Sequence, residues 1–187
     1  MKALNSPLVI IGVIVLVLLL IGGAQYNKLT NLDENVKSQW GQVENQFQRR
    51  ADLIPNLVNT VKGYATHEST VLTAVTEARA RVGSAQTVQD KINANQELTS
   101  ALARLLVVVE NYPNLKANQN FLDLQAQLEG TENRISQERR KYNEVAMGYN
   151  QAIRRFPGVF VARMMGLKAQ PYFQAQEGAS KAPEVKF

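Results

Sequence analysis

Residues 29–64 read LTNLDENVKSQWGQVENQFQRRADLIPNLVNTVKGY. Apolar side chains recur in this segment at steps of three and four, which is the repeat of one face of an α-helix. At about 3.6 residues per turn, the apolar stripe runs for about ten turns. Pro55 lies inside the stripe, yet the phase is the same on both sides, so we predict one long helix that bends near Pro55 rather than two helices. The stripe consists of Leu29, Leu32, Val36, Trp40, Val43, Phe47, Ile54, Leu57, Val61 and Tyr64, with Arg50 as its charged member.

The stretch before this helix predicts a membrane anchor. Residues 3–27 contain no charged side chain, and residues 8–21 are aliphatic apart from Gly12. A helix needs roughly 20 apolar residues to cross a bilayer, with a lower limit of about 17. We therefore expect residues 1–25 to form a transmembrane anchor that continues directly into the long helix. The alternative is a cleaved signal peptide, with Lys2 as its charged n-region and the small residues Gly22-Gly23-Ala24 as its cleavage site. The apolar run exceeds the usual length of about 7–15 residues, which favours a retained anchor.

The charges beside the anchor do not decide its orientation. Lys2 precedes the apolar run, whereas Lys28 and Lys37 follow it beside Asp33 and Glu34. Because acidic residues contribute little to the positive-inside rule, the count of basic residues leaves open which side of the membrane the rest of the chain faces.

Three further helices follow the first. Their apolar residues keep the helical period, and glycine or proline marks each end. Thr66 is expected to be the N-cap of the second helix. The predicted helices cover residues 66–82, 88–109 and 121–156, and they end at Gly83-Ser84, at Asn111-Tyr112-Pro113 and at Phe156-Pro157-Gly158.

These elements predict an all-α fold, in which an N-terminal transmembrane helix is followed by an antiparallel four-helix bundle with two long and two shorter helices. Because only the long helices reach the membrane, we expect a two-helix stalk at the membrane and a four-helix section beyond it. No segment shows the pattern of a strand. The predicted organisation is an anchor at 1–25, the bundle at 26–157, an amphipathic, apolar C-terminal segment at 158–173 and a disordered tail at 174–187.

Composition excludes several kinds of chemistry. The chain has no cysteine, which removes disulfides, cysteine-bound metals and thiol nucleophiles. Its single histidine, His67, has no second histidine or cysteine to complete the common metal sites, and we interpret it as a turn residue. Neither a phosphate-binding glycine loop nor a serine nucleophile motif occurs. We expect no cofactor and no bound metal.

The positive charge of the chain does not point to nucleic acid. The net charge is +5, but basic residues alternate with acidic ones and no aromatic platform accompanies them. A solvated helical face is the favoured interpretation, and anionic lipid is the next candidate for the basic residues.

Two charged residues occupy positions where the helical period demands an apolar side chain. They are Arg50 in the first helix and Glu138 in the fourth. If the long helices run antiparallel with Leu29 near Phe156, Arg50 falls within about a turn of Glu138. Because an isolated buried charge is costly, we predict a polar layer that fixes register rather than a catalytic pair. The alternative charged neighbours are Arg49, Asp52 and Glu132.

The stalk and the segment after it predict two associations. Two helices cover their apolar stripes less well than four, so we expect the stalk to form homo-oligomers. The chain after the fourth helix returns to the anchor, where apolar residues mixed with arginine suit an interfacial helix on anionic lipid. The alternative is that residues 159–167 fold over the stalk of their own chain. The candidate membrane-contact residues are Arg154, Arg155, Phe160, Arg163 and Met164.

Short motifs recur in a fixed order from the anchor to about Phe173. They are YNKL at 26–29, RRADLIPNLV at 49–58, VKGY at 61–64, HE at 67–68, EAR at 77–79, ENYPNLKA at 110–117, TENRI at 131–135, YN at 142–143 and 149–150, and FP at 156–157. In this order they closely resemble the LemA family. The resemblance implies a bacterial membrane protein with one amino-terminal helix, a soluble helical bundle and no established enzymatic activity.

The resemblance also bears on topology. Descriptions of the family often place the bundle in the cytoplasm, whereas some members carry a lipoprotein cysteine just before the Tyr-Asn motif, which implies an exported bundle. Ala24 replaces any such cysteine here, so lipidation is excluded. We expect a single-pass protein of the bacterial cytoplasmic (inner) membrane with an extracytoplasmic, or periplasmic, bundle.

Three functions remain after these exclusions. The favoured one is a non-enzymatic membrane scaffold or self-assembling envelope protein, whose partners are the lipid bilayer and further copies of the chain. The second is a membrane-tethered adaptor that regulates an unidentified protein partner in an envelope or stress-response pathway. A hydrolase with a cryptic site is the least favoured, because no nucleophile and base are paired in the sequence.

Overall fold

A computed structural model describes residues 7–65 and 67–174, and this part of the chain contains helices and no strand. The all-α prediction is therefore confirmed for the described residues. The predicted cap residue Thr66 and residues 175–187 of the predicted tail lie outside them. The elements are α1 (Pro7–Lys62), α2 (Ser69–Ser84), α3 (Val88–Val109), α4 (Pro113–Lys116), α5 (Gln119–Ala152) and α6 (Gly158–Met164).

The first helix, α1, is continuous over 56 residues and contains Pro55, as the unbroken stripe predicted. An 18-residue stretch near its N-terminus has a mean hydropathy of 2.9. Within the described residues, α1 is the one helix that is long and apolar enough to span a membrane. The aliphatic side chains from Leu8 to Ile21 are exposed. Exposed aliphatic side chains over that length suit a lipid environment rather than water, so the chain is a membrane protein with one candidate span.

Contacts divide the chain into two compact units. The first unit comprises Met1–Gly41 with Lys141–Gln170, and the second comprises Gln42–Arg140 with Pro171–Phe187. Both long helices, α1 and α5, contribute residues to both units.

In the second unit, α2, α3 and parts of α1 and α5 enclose one apolar core. The core follows from the helical stripes, since each helix turns its apolar face inward and leaves its polar face in solvent. Its buried residues are Ile54, Leu57, Val61, Ala65, Leu72, Val75, Ala78, Leu98, Ala101, Leu105, Val109, Leu115, Phe121 and Leu124.

The start of α2 differs from the prediction. The helix begins at Ser69, and its N-cap residue is Glu68, whose side chain makes no capping hydrogen bond. The Glu68 carboxylate instead accepts a hydrogen bond of 2.8 Å from the Tyr112 hydroxyl, which lies after α3. This bond raises the pKa of the Tyr112 hydroxyl, because the carboxylate stabilises the neutral, donating form. The start of α2 is therefore fixed by a tertiary contact rather than by a local cap.

The first unit packs the membrane-proximal parts of α1 and α5 together with α6. Trp40 of α1 contacts Tyr142 of α5 edge to face, with ring centroids 5.4 Å apart. The end of α5 also differs from the prediction, since the helix stops at Ala152 and not at Phe156. Main-chain hydrogen bonds at residues 153–155 form tight turns that lead into α6.

Candidate functional sites: a buried arginine layer and a basic apolar surface

The most buried charge in the described chain is Arg50, whose exposed fraction is 1%. Its Nη1 donates hydrogen bonds to Thr99 Oγ1 at 2.9 Å and to Glu132 Oε2 at 2.6 Å. Its Nη2 donates to both the main-chain oxygen of Asn95, at 3.0 Å, and its side-chain Oδ1, at 2.8 Å. One guanidinium group therefore joins α1, α3 and α5.

Local helix geometry prepares these acceptors. Asn95 and Thr99 lie one turn apart on α3, so both face the same neighbour. The Thr99 hydroxyl donates to the Asn95 main-chain oxygen at 3.0 Å, and Asn95 Nδ2 donates to the Lys91 main-chain oxygen at 2.9 Å. Hydrogen bonds within α3 therefore hold both acceptors in place, independently of Arg50.

Aromatic rings complete the surroundings of the layer. The Arg50 guanidinium lies 5.9 Å from the centroid of the Phe47 ring. Arg139, on α5, lies 6.0 Å from the same ring and 5.0 Å from the centroid of Phe173. These distances are within the range of cation–π attraction. The layer therefore combines two arginines, two rings and one carboxylate.

Burial has the largest effect on the pKa values of the two arginines in the layer. Desolvation lowers the pKa of Arg50, the Glu132 carboxylate opposes this effect, and the nearby charge of Arg139 adds to it. Desolvation likewise lowers the pKa of Arg139. Both guanidinium groups nevertheless remain charged at neutral pH, because free arginine titrates far above it.

The carboxylate that pairs with Arg50 is Glu132, one of the alternative neighbours, rather than Glu138. The reference pair used for the predicted register does not form, since Leu29 is fully buried whereas Phe156 is 81% exposed. Glu138 is half-buried on α5. The expected proximity of Arg50 to Glu138 was based on this register and on the position of Glu138 in the helical period of α5, whereas Arg50 pairs with Glu132.

The layer has the chemistry of a structural contact. The hydrogen bonds of its guanidinium are made within the chain, and guanidinium is a poor proton donor at neutral pH. Within residues 7–65 and 67–174, no group of His, Cys, Asp and Glu side chains has the geometry to hold a metal ion. His67 is exposed beside the start of α2.

A second internal contact was not anticipated from the sequence. Pro55 has no N–H, so the main-chain oxygen of Ala51, four residues earlier, loses its helical partner. Arg79 of α2 supplies a replacement, because its Nε donates to that oxygen at 2.9 Å. The side chain of Arg79 therefore compensates for a proline in another helix. The EAR motif at 77–79 marked this residue, but nothing in its spacing identified the acceptor.

Beside the arginine layer lies an apolar groove with a volume of about 220 Å³. It opens between α3 and α5, and its apolar lining includes Leu57, Leu102, Leu106 and Leu128. Leu106 is partly exposed at its edge. The groove brings apolar surface and a charged pair to one place on the bundle.

The five candidate membrane-contact residues lie on one part of the first unit. Phe160 and Met164, one turn apart on α6, are 62% and 84% exposed. Arg154, Arg155 and Arg163 are exposed as well. All five side chains are therefore accessible from outside the first unit.

The apolar stripe that we expected to be exposed on the stalk is mostly covered within one chain, apart from Phe156, which is 81% exposed. Leu29, Val36, Tyr142 and Tyr149 are buried. The cover is α6 with the residues after it: Val161 and Ala162 are buried, and the Tyr149 hydroxyl donates to the main-chain oxygen of Lys168 at 3.1 Å. Asn150 likewise donates to the main-chain oxygen of Gln170 at 2.9 Å and accepts from its N–H at 2.8 Å. This arrangement agrees with the alternative given above, in which residues 159–167 fold over the stalk of their own chain.

Comparison with known proteins gives one family. A sequence model of the LemA family matches residues 39–187. The Protein LemA of Metamycoplasma hominis is 23% identical over 152 residues, which cover 81% of this chain and 69% of that protein.

Magnetosome proteins are also similar to the chain. Magnetosome protein MamQ 2 of Paramagnetospirillum magneticum is 26% identical over 176 residues, covering 80% of this chain and 65% of that protein. Magnetosome protein MamQ of Magnetospirillum gryphiswaldense is 25% identical over 175 residues, covering 80% and 64%. The chain thus spans just under two thirds of the length of these relatives.

Proposed function

Because this chain belongs to the LemA family, we propose that it is a non-enzymatic, membrane-anchored helical scaffold that associates with further copies of itself. The observation that carries the proposal is the course of α1. This one helix begins with the candidate membrane span and ends by supplying the buried residues Ile54, Leu57 and Val61 to the core of the second unit. No loop separates anchor from core, as befits a protein whose task is to hold a bundle at a membrane.

Self-association is supported by apolar side chains outside the span that the chain itself leaves uncovered. Tyr26 on α1 and Met147 on α5 are each 51% exposed, and both belong to the first unit. In the bilayer, single helices associate through close van der Waals packing. Within the described part of the chain nothing buries the candidate span, so its faces are available for such packing. These surfaces replace the buried stripe as the basis for an oligomer.

Single-cysteine cross-linking tests this proposal in native membranes. The chain has no native thiol, so each adduct reports only the introduced position. We expect Tyr26→Cys, Ser38→Cys or Met147→Cys, treated with a short bismaleimide, to give a product of two or more chains. The unmodified chain is the control. Monomer alone at all three positions would contradict self-association.

We also propose that the bundle, the chain beyond the candidate span, lies outside the cytoplasm. Ser38 is exposed on α1 beyond the span, so a cysteine there reports the side of the membrane. In intact cells, a membrane-impermeant maleimide is expected to label Ser38→Cys as completely as it does after lysis. Labelling only after lysis would place the bundle in the cytoplasm.

The adaptor function is a second candidate, and the groove beside the arginine layer favours it. An apolar groove bordered by a charged pair is suited to an apolar side chain of a partner protein. A cysteine at Leu106 would then cross-link to a different protein, while one at Val107, exposed on the same helix but absent from the groove, would not. Equal cross-linking from both positions would count against the groove as a specific site.

A further inference from the structure

The short helix α6 has two faces of different chemistry. Gly158, Val161 and Ala162 are buried against the first unit. Phe160 and Met164 point away from it, and the exposed Phe156 ring contacts Phe160 edge to face with centroids 6.1 Å apart. Three large apolar side chains spaced by four residues thus form one exposed patch, which water solvates poorly.

The stretch of chain that carries the patch has only basic charged residues. Residues 145–174 contain Arg154, Arg155, Arg163 and Lys168 but neither aspartate nor glutamate. Those three arginines are exposed, and none forms a salt bridge within the described part of the chain. Their charges are therefore available to an external anion.

The position of α6 within the first unit is close to the end of the membrane span. A cleft there is lined by Gln25 and Lys28 of α1 together with Arg155 and Phe156. A Cβ added at Gly158 would lie 3.6 Å from Gln25 Oε1 and only 2.6 Å from the main-chain oxygen of Ala152. Only glycine permits the close approach to Ala152, and the start of α6 lies beside Gln25, the first residue after Ala24, where the apolar run ends.

We propose that α6, with Phe156 and the surrounding arginines, docks on the surface of the bilayer and binds anionic phospholipid. Phe156, Phe160 and Met164 enter the boundary between headgroups and acyl chains, while Arg154, Arg155 and Arg163 contact the lipid phosphates. Interfacial helices of this kind combine apolar burial with attraction to anionic lipid. The location next to the anchor makes the bilayer the nearest surface, and the basic residues at 154, 155 and 163 match anionic headgroups.

Spin labels on the full-length chain test the docking. The chain is reconstituted in phosphatidylcholine vesicles with or without phosphatidylglycerol, and labels are placed at Phe160→Cys or Met164→Cys. Tyr26→Cys gives the reference at the end of the span, and Ser38→Cys, about 18 Å further along α1, gives the aqueous reference. We expect both α6 labels to resemble Tyr26→Cys, colliding more often with oxygen than with an aqueous nickel chelate, when phosphatidylglycerol is present. Collision rates like those of Ser38→Cys would overturn the proposal.

Charge variants test the choice of lipid. Each arginine near an anionic surface contributes about 1 kcal/mol, so each Arg→Gln change at 154, 155 or 163 is expected to lower the docked-to-undocked ratio about fivefold. The matched control replaces the exposed Arg49, Lys62 and Arg134 by glutamine and should leave the ratio unchanged. Equal docking without phosphatidylglycerol would overturn anionic-lipid recognition. If the protection of the α6 labels from the nickel chelate grows with the protein-to-lipid ratio, the patch binds a second copy of the chain instead.

Discussion

Replacing Glu132 by alanine is expected to lower the free energy of unfolding by about 3 kcal/mol, because it leaves the buried Arg50 charge without its carboxylate. Breaking a buried ion pair usually costs about 3–5 kcal/mol. We expect the lower end of this range because the Glu132 side chain is 43% exposed, so water can take the place of its carboxylate beside Arg50. Arg50→Met should cost less, about 1–2 kcal/mol, since it removes the charge and leaves mainly Asn95 Oδ1 unpaired. The double variant should therefore be no less stable than Arg50→Met alone. Denaturant titration of the full chain in micelles, followed by circular dichroism, measures all three.

An exposed ion pair provides the matched control for the double-mutant cycle of Arg50 and Glu132. Arg81 and Glu97 lie 2.9 Å apart with side chains 59% and 51% exposed. Such pairs contribute about 0–1 kcal/mol, so Arg81→Met should change stability little. If Glu132→Ala costs no more than Arg81→Met, or if the double variant loses the sum of both single effects, the buried-charge explanation of the layer is wrong.

The second expected result concerns the proline in α1. Arg79→Met should lower the free energy of unfolding by about 1–3 kcal/mol, because it leaves the buried main-chain oxygen of Ala51 without a donor. In the Pro55→Ala background the same change should have little effect, since alanine supplies the missing N–H within the helix. Pro55→Ala alone should stabilise the chain by up to about 3 kcal/mol. A double-mutant cycle in the same denaturant assay gives the coupling.

The control for the proline cycle is Arg104→Met, which removes an exposed arginine of α3. Its effect on stability should be the same with or without the Pro55→Ala change. Additive effects of Arg79→Met and Pro55→Ala would show that the hydrogen bond between Arg79 and Ala51 does not compensate for the proline.

The course of α1 was predictable because its evidence is local. Steps of three and four between apolar residues continue through Pro55, and a helical stripe depends only on that spacing. The same spacing marked Arg50 as a residue that faces the core. Its partner depended on how α1 and α5 are aligned. Pairing Leu29 with Phe156 places Arg50 opposite residue 135, as far from Glu132 as from Glu138, and the helical period of α5 then favoured Glu138. The structure pairs Arg50 with Glu132 instead.

Several of the contacts that were not predicted from the sequence involve the main chain. Arg79 donates a hydrogen bond to the main-chain oxygen of Ala51. The segment that covers the stalk accepts hydrogen bonds at the main-chain oxygens of Lys168 and Gln170. Such acceptors are present at every residue, so no residue type or spacing marks the ones that are used. The start of α2 was misplaced for a related reason, since Glu68 bonds to Tyr112, distant in the sequence, instead of capping its own helix.

The most direct test of the proposed scaffold is the mass of the full-length chain extracted with its native lipids into polymer-bounded nanodiscs. The chain has a mass of 20.8 kDa. Native mass spectrometry is expected to show particles that contain two or more copies of this chain and keep that number on dilution. Particles that contain a single copy, alone or with a different protein, would contradict self-assembly.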